Sequence, residues 1–196
     1  LLNILSGELK YKGTLEGLEK NISYIFQEER LLEQRTVRGN LDFILKKVYP
    51  KEQRAETIDK YLRLVELSDS AGLYPSELSG GMAQRVSLAR AFSFPSNTLL
   101  MDEPFKALDL RLKDSILKAF LRLWAEEKRT VFFVTHDIDE CMLFGDNIFV
   151  FSDKPFTLIN RYHIGHEKEN RKLYSPYFSA LKDDIYKDLE AWKSGN

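Results

Sequence analysis

Two adjacent carboxylates close an apolar run in Thr98-Leu99-Leu100-Met101-Asp102-Glu103-Pro104. If that run is a buried strand of a parallel sheet, Asp102 and Glu103 stand at its carboxyl end, where open α/β sheets hold their ligands. One such carboxylate can support Mg²⁺ through its water shell while the next polarises an attacking water. A second run, Val131-Phe132-Phe133-Val134-Thr135-His136-Asp137, sets His136 just past another strand. An imidazole there can hydrogen-bond a terminal phosphate oxygen or orient a water. The third signal is Leu78-Ser79-Gly80-Gly81-Met82-Ala83-Gln84-Arg85. Paired glycines ahead of a helix leave backbone N–H groups uncovered, and the positive end of the helix favours an anion, so Ser79, Gly80 and Gly81 suit a phosphate. Taken singly, each has a plainer reading: a solvated acidic pair, a structural histidine, an ordinary helix cap. His163 and His166 lie in a polar stretch and are given no role.

The elements that must position these residues follow from periodicity. Leu1 to Leu5 reads as a helix already under way, and Lys10 to Leu18 as an exposed hairpin or turn. Ile22 to Phe26 reads as a strand. Helical spacing of Val37, Leu41, Ile44, Leu45 and Val48 predicts a helix that Pro50 ends, and Arg54 to Leu67 a second. Thr98–Met101, Val131–Thr135 and Asn147–Phe151 are apolar runs expected to be buried parallel strands, with helices at about 83–92 and 113–127 between them. Strands alternating with helices predict an α/β fold, a parallel sheet covered on its faces. From about Asn160 the chain turns more polar and ends in a helix, 177–192, whose Tyr177, Leu181, Ile185 and Leu189 form one apolar stripe. The expected division is therefore 1–160 and a tail, 161–196.

Composition sets the bounds. The 196 residues carry 29 Lys and Arg against 30 Asp and Glu, a net charge of −1, which gives no ground for a nucleic-acid partner. The one cysteine, Cys141, excludes an intrachain disulfide and suits a reducing compartment. No apolar run approaches the length of a membrane span. A soluble, cytoplasmic chain is expected.

Taken in order and spacing, these residues resemble the ATP-binding-cassette ATPases over nearly the whole chain. Ile25-Phe26-Gln27 is similar to the family's Q-loop, Leu78 to Gln84 to its signature, and Leu99 to Glu103 to its Walker B strand. Ala107-Leu108-Asp109 resembles its D-loop and His136 its switch histidine. The resemblance implies a P-loop NTPase-like parallel sheet with helices on both faces and a helical signature subdomain at about 36–92. It implies ATP and Mg²⁺ as cofactors. Glu103 would be the general base, His136 would touch the γ-phosphate, and Asp102 and Gln27 would hold the metal. Ser79, Gly80, Gly81, Gln84 and Asp109 would serve nucleotide binding across a dimer with composite sites. The implied partners are a second ATPase subunit, transmembrane permease subunits and, indirectly, an extracytoplasmic solute-binding protein, with the ATPase peripheral on the inner face of the membrane. Phe26-Gln27-Glu28-Glu29-Arg30-Leu31-Leu32, Thr36-Val37, Asn40, Met101 to Phe105 and Thr135 to Glu140 are similar to the importer ATPases for nitrate, sulfonates and taurine. Gln34 and Lys106 depart from that branch. ATPases that structure or repair DNA share the signature but carry long coiled-coil insertions between Gln27 and Ser79 positions, which this chain lacks.

The family's phosphate cradle, Gly-x-x-x-x-Gly-Lys-[Ser/Thr], is absent from these residues, since none of the ten glycines precedes a lysine. The helix at Leu1 is expected to follow directly after that loop, with the loop and the strand feeding it upstream. A fragment of a complete ATPase and a truncated, inactive subunit that only docks on a permease both fit. Without the cradle, phosphoryl transfer loses much of its positioning and charge stabilisation. Residues 1–196 by themselves are accordingly expected to release no measurable phosphate from ATP. Turnover that rises with dimerisation in a phosphate-release assay would overturn this.

Overall fold

Leu99, Leu100 and Met101 are all essentially inaccessible, so their strand is covered on both faces. The computed structural model describes residues 1–18, 21–105, 110–153 and 156–194. Strands β1 (Ile22–Ile25), β2 (Thr98–Asp102) and β3 (Thr130–Val134) form a parallel sheet in that order, with β2 central. Ile25 pairs with Met101 and Met101 with Phe133, so Ser23, Ile25, Leu99 and Met101 face one side and Tyr24, Leu100 and Asp102 the other. Helix α1 (Leu2–Leu5) lies on the second side, where Tyr24 Oη reaches Asn3 Oδ1 at 3.5 Å. On the first side Ser23 Oγ meets Ser96 Oγ at 2.7 Å, in the loop that leads into β2.

The segment 37–93 supplies the helical subdomain. Thr36 caps α2 (Val37–Leu45) by accepting from Gly39 N at 3.1 Å. Helix α3 (Lys51–Leu64) starts at the residue after Pro50, earlier than its apolar spacing indicates, because Pro50 fixes the extended cap conformation. Val37, Leu41, Leu45, Ile58 and Leu62 are buried between these helices and α4 (Gly80–Ser93). Helix α5 (Leu110–Glu126) packs on α4, with Phe120 edge-on to Phe92 at 5.8 Å.

Residues 10–18 stay largely exposed, as expected, and contain no strand, which leaves the turn of the two readings given for them. Two expectations are corrected. Strand β3 is only half covered, with Phe132 40% and Val134 36% exposed, because among the described residues it is an edge strand. Asn147–Phe151 is not a third neighbour in the parallel sheet: it is β4 of a separate sheet, antiparallel to β5 (Leu158–His163). A short connection allows antiparallel pairing where a parallel pair would need a crossover. Thr157 N donates to Ser152 Oγ at 2.8 Å to close the turn.

The chain divides into two compact units, Leu1–Val134 and Thr135–Asn196, an earlier boundary than the change of composition near Asn160 suggests. In the second unit, α6 (Ile138–Phe144), β4, β5 and α7 (Pro176–Ser194) share one core of Met142, Ile148, Val150, Ile164, Phe178, Leu181 and Ile185. The stripe predicted on the last helix, Leu181 and Ile185 with Leu189 beside them, thus packs within its own unit. No described helix is long and apolar enough to cross a membrane.

A buried arginine closes a helix in each unit. Arg129 donates to the carbonyls of Phe92 at 2.6 Å and Phe94 at 2.9 Å, which α4 leaves without internal partners. Arg171 does the same for Met142, Leu143 and Gly145 after α6. Replacing Arg129 by Met would orphan buried acceptors and is expected to destabilise the first unit by about 3 kcal/mol. Urea unfolding followed at Trp124 in a Trp192→Phe background measures it, and an unshifted midpoint would refute the assignment.

Candidate functional site

Asp102 ends β2, and the chain turns at once through Glu103 in the left-handed region, φ +43°. A non-glycine residue there costs about 1–2 kcal/mol and persists only where its surroundings hold it. Glu103 N donates to Val134 O at 2.9 Å, which continues the β2–β3 ladder one step past Asp102. Pro104 and Phe105 follow, both buried, with the Phe105 ring 5.8 Å from that of Phe133. The turn therefore sends the chain into the core and leaves the side chains of Asp102 and Glu103 half-buried at the carboxyl end of the sheet. Beside Asp102 stands Tyr24, whose hydroxyl is pushed above its usual range by burial first and by the Asp102 carboxylate second.

Gln27 lies two residues past Ile25, as Glu103 lies two past Met101, and Ile25 and Met101 are paired. The sheet thus brings Gln27, Asp102 and Glu103 to the same end of neighbouring strands. Gln27 is exposed and follows Phe26, whose ring stacks on Tyr24 at 4.2 Å and carries the Arg30 guanidinium at 3.9 Å. Two residues assigned no role from the sequence, Arg90 and Asn40, shape the next loop. Arg90 of α4 donates to Glu29 O at 2.7 Å and Arg30 O at 2.8 Å. Asn40, wholly buried in α2, accepts from Leu32 N at 2.7 Å and donates to Leu32 O and Arg35 O. An asparagine inside an apolar helical stripe and an arginine within Ser87-Leu88-Ala89-Arg90-Ala91-Phe92 were the available signals.

Ser79 caps α4, its Oγ accepting from Met82 N at 3.3 Å. Ser79 and Gly80 are exposed and Gly81 is buried. Nothing stands within 4 Å of where a Gly80 Cβ would lie, while one on Gly81 would meet Leu112 Cδ1 at 2.3 Å. Gly81 is thus required by packing on α5, and Gly80 presents an open helix N-terminus. Gln84 does not sit with them at the surface. It is 2% exposed and its Nε2 donates to Pro104 O, within the core of the first unit, which is at odds with direct contact to a nucleotide.

His136 belongs to the second unit and is exposed, on a turn held by its neighbours. Thr135 Oγ1 donates to Glu140 Oε2 at 2.6 Å, and Asp137 caps α6 by accepting from Asp139 N at 2.9 Å. Cys141 in the same helix is no nucleophile, since burial, then the Glu140 and Asp137 carboxylates, push its thiol up to about 12. Asp109, with Ala107 and Leu108, lies outside the described residues. No group of three or more metal-ligating side chains occurs among the described residues.

The profile of the ABC transporter family matches residues 1–106. An uncharacterized ABC transporter ATP-binding protein of Methanocaldococcus jannaschii is 35% identical across 97% of this chain and 77% of its own length. The aliphatic sulfonates import ATP-binding protein of Bacillus subtilis is 34% identical across 97% of the chain and 76% of its own. The taurine import ATP-binding protein of Rhizobium johnstonii is 35% identical across 94% and 77%. A dimeric bacterial ABC transporter cassette superposes with a TM-score of 0.57 at 33% identity, over 65% of this chain and 57% of that one. The family profile covers more than half of these residues and the relatives match nearly all of them, so the chain belongs to the ABC transporter family.

Proposed function

We propose that this chain is the ATP-binding and hydrolysing part of a membrane importer for a small sulfonate-, taurine- or nitrate-like solute, working as a dimer with composite ATP sites. Support comes above all from the Asp102–Glu103 turn, which places two carboxylates of different backbone conformation at the carboxyl end of the central strand. The sulfonate and taurine import proteins among its relatives and the dimeric cassette point the same way.

Asp102 and Gln27 would hold Mg²⁺ through its water shell, which fits a site with one carboxylate and one amide rather than a full ligand cage. When bound, Mg²⁺ neutralises charge on the β- and γ-phosphate oxygens. A Glu103 carboxylate oxygen accepts the proton of the attacking water, and the left-handed turn fixes the backbone from which that side chain extends. His136 hydrogen-bonds a γ-phosphate oxygen. Ser79, Gly80 and Gly81 offer the helix N-terminus to the nucleotide held by the second subunit. The ATPase would sit on the inner face of the membrane against a transmembrane permease and, through it, serve an extracytoplasmic solute-binding protein.

In the product of the native gene, Glu103→Gln is expected to abolish ATP turnover while nucleotide affinity stays within about twofold, the mark of a group needed only in the transition state. An unaffected rate would remove Glu103 as the base. The glycine pair separates two roles. Gly81→Ala is expected to lower stability by about 1–3 kcal/mol through overpacking against Leu112. Gly80→Ala should unfold as the parent does yet impair nucleotide-driven dimerisation. Thermal unfolding and sedimentation velocity with ATP check both, and equal destabilisation of the two would contradict the packing difference.

A further inference from the structure

Three described residues other than glycine have left-handed backbones, Arg30 at φ +45°, Glu66 at +60° and Glu103 at +43°. Each lies where α4 donates a hydrogen bond. Arg90 donates to Arg30 O at 2.8 Å. Arg85 donates to Val65 O at 3.1 Å and Glu66 Oε2 at 2.9 Å. Gln84 donates to Pro104 O, one residue past Glu103. The first two are partly solvent-facing guanidinium contacts, whereas Gln84 is buried and neutral. Its bond is made away from competing water, and its loss would leave a buried carbonyl unmet.

We propose that Gln84 is a positioning residue for Glu103. From inside its own subunit it pins the downstream side of the turn, while Glu103 N on Val134 O pins the upstream side. Gln84 stands one helical turn after Gly80, so the helix that begins with the Ser79-Gly80-Gly81 loop sets the backbone of the base directly. A shift of that helix start is transmitted toward Glu103 through the Gln84 side chain. This deepens the reading of Glu103 as the base and rests on it for its functional meaning.

Nuclear magnetic resonance of the full chain tests the link without nucleotide. In Gln84→Met, an apolar substitute of similar length, the Glu103 Cα and Cβ shifts are expected to leave their left-handed values. Amide exchange at Glu103 and Phe105 should quicken about tenfold, as for one lost buried hydrogen bond, with α4 and β2 unchanged. Gln84→Glu supplies a rescue: a protonated carboxyl donates to Pro104 O and an ionised one repels it. Parent-like Glu103 shifts are therefore expected at low pH, lost as pH rises through the pKa of the introduced carboxyl. Unchanged Glu103 signals in Gln84→Met, exchange rising alike throughout α4 and β2, or no return at low pH in Gln84→Glu would each overturn the proposal. None of these readouts depends on turnover, so the positioning role and the assignment of Glu103 as base can fail separately.

Discussion

A donor buried away from water has to find an acceptor, and in this chain that requirement falls on α4. The helix has nine buried residues and so cannot turn a polar face outward along its whole length. Its polar side chains reach instead into neighbouring segments: Gln84 to Pro104, Arg85 to Val65 and to Ser115 of α5, Arg90 to Glu29 and Arg30. The loops so held carry Gln27 on one side and Glu103 on the other. Of their left-handed residues, which a free chain would avoid, Arg30 has its own carbonyl bonded by the helix and Glu103 that of its neighbour Pro104.

The same constraint explains why chemistry gathers at one end of the sheet. Parallel strands deliver successive loops to a common edge, and β1 and β2 do so in register at Ile25 and Met101. Glu66 shows how a strained turn can be held by charge instead of burial. Its carboxyl is drawn below the usual range by Arg122 and then Arg85, yet it remains exposed, so its pairing is more open to salt than the Gln84 contact.

Much of this was legible beforehand. Apolar runs before Asp102 and His136, and the glycine pair before a helix, located the strands and the helix start because each depends on local pattern. Strand direction did not follow: Asn147–Phe151 has the composition of a buried parallel strand, and only the turn at Ser152 and Thr157 makes it antiparallel. The half-exposed face of β3 was hidden for the same reason, since edge or centre is decided by neighbours and not by the strand's own residues. Gln84 was assigned to nucleotide binding only through the likeness of Leu78 to Gln84 to the family signature. Its helical phase relative to Gly81, already tight against Leu112, turns it inward. Asn40 and Arg90 act through backbone carbonyls, which any sequence can supply, so no partner residue announces them.

Arg129 and Arg171 have a bearing on the conditions the fold tolerates. Each fastens its unit by giving one guanidinium to several backbone carbonyls, and neither carbonyl nor guanidinium changes protonation across the range a cell experiences. Had lysine or histidine filled these places, acidification or alkalinisation would loosen a helix end. As built, a response to acidity is left to carboxylates, among them Glu127 beside Arg129 and Asp146 beside Arg171.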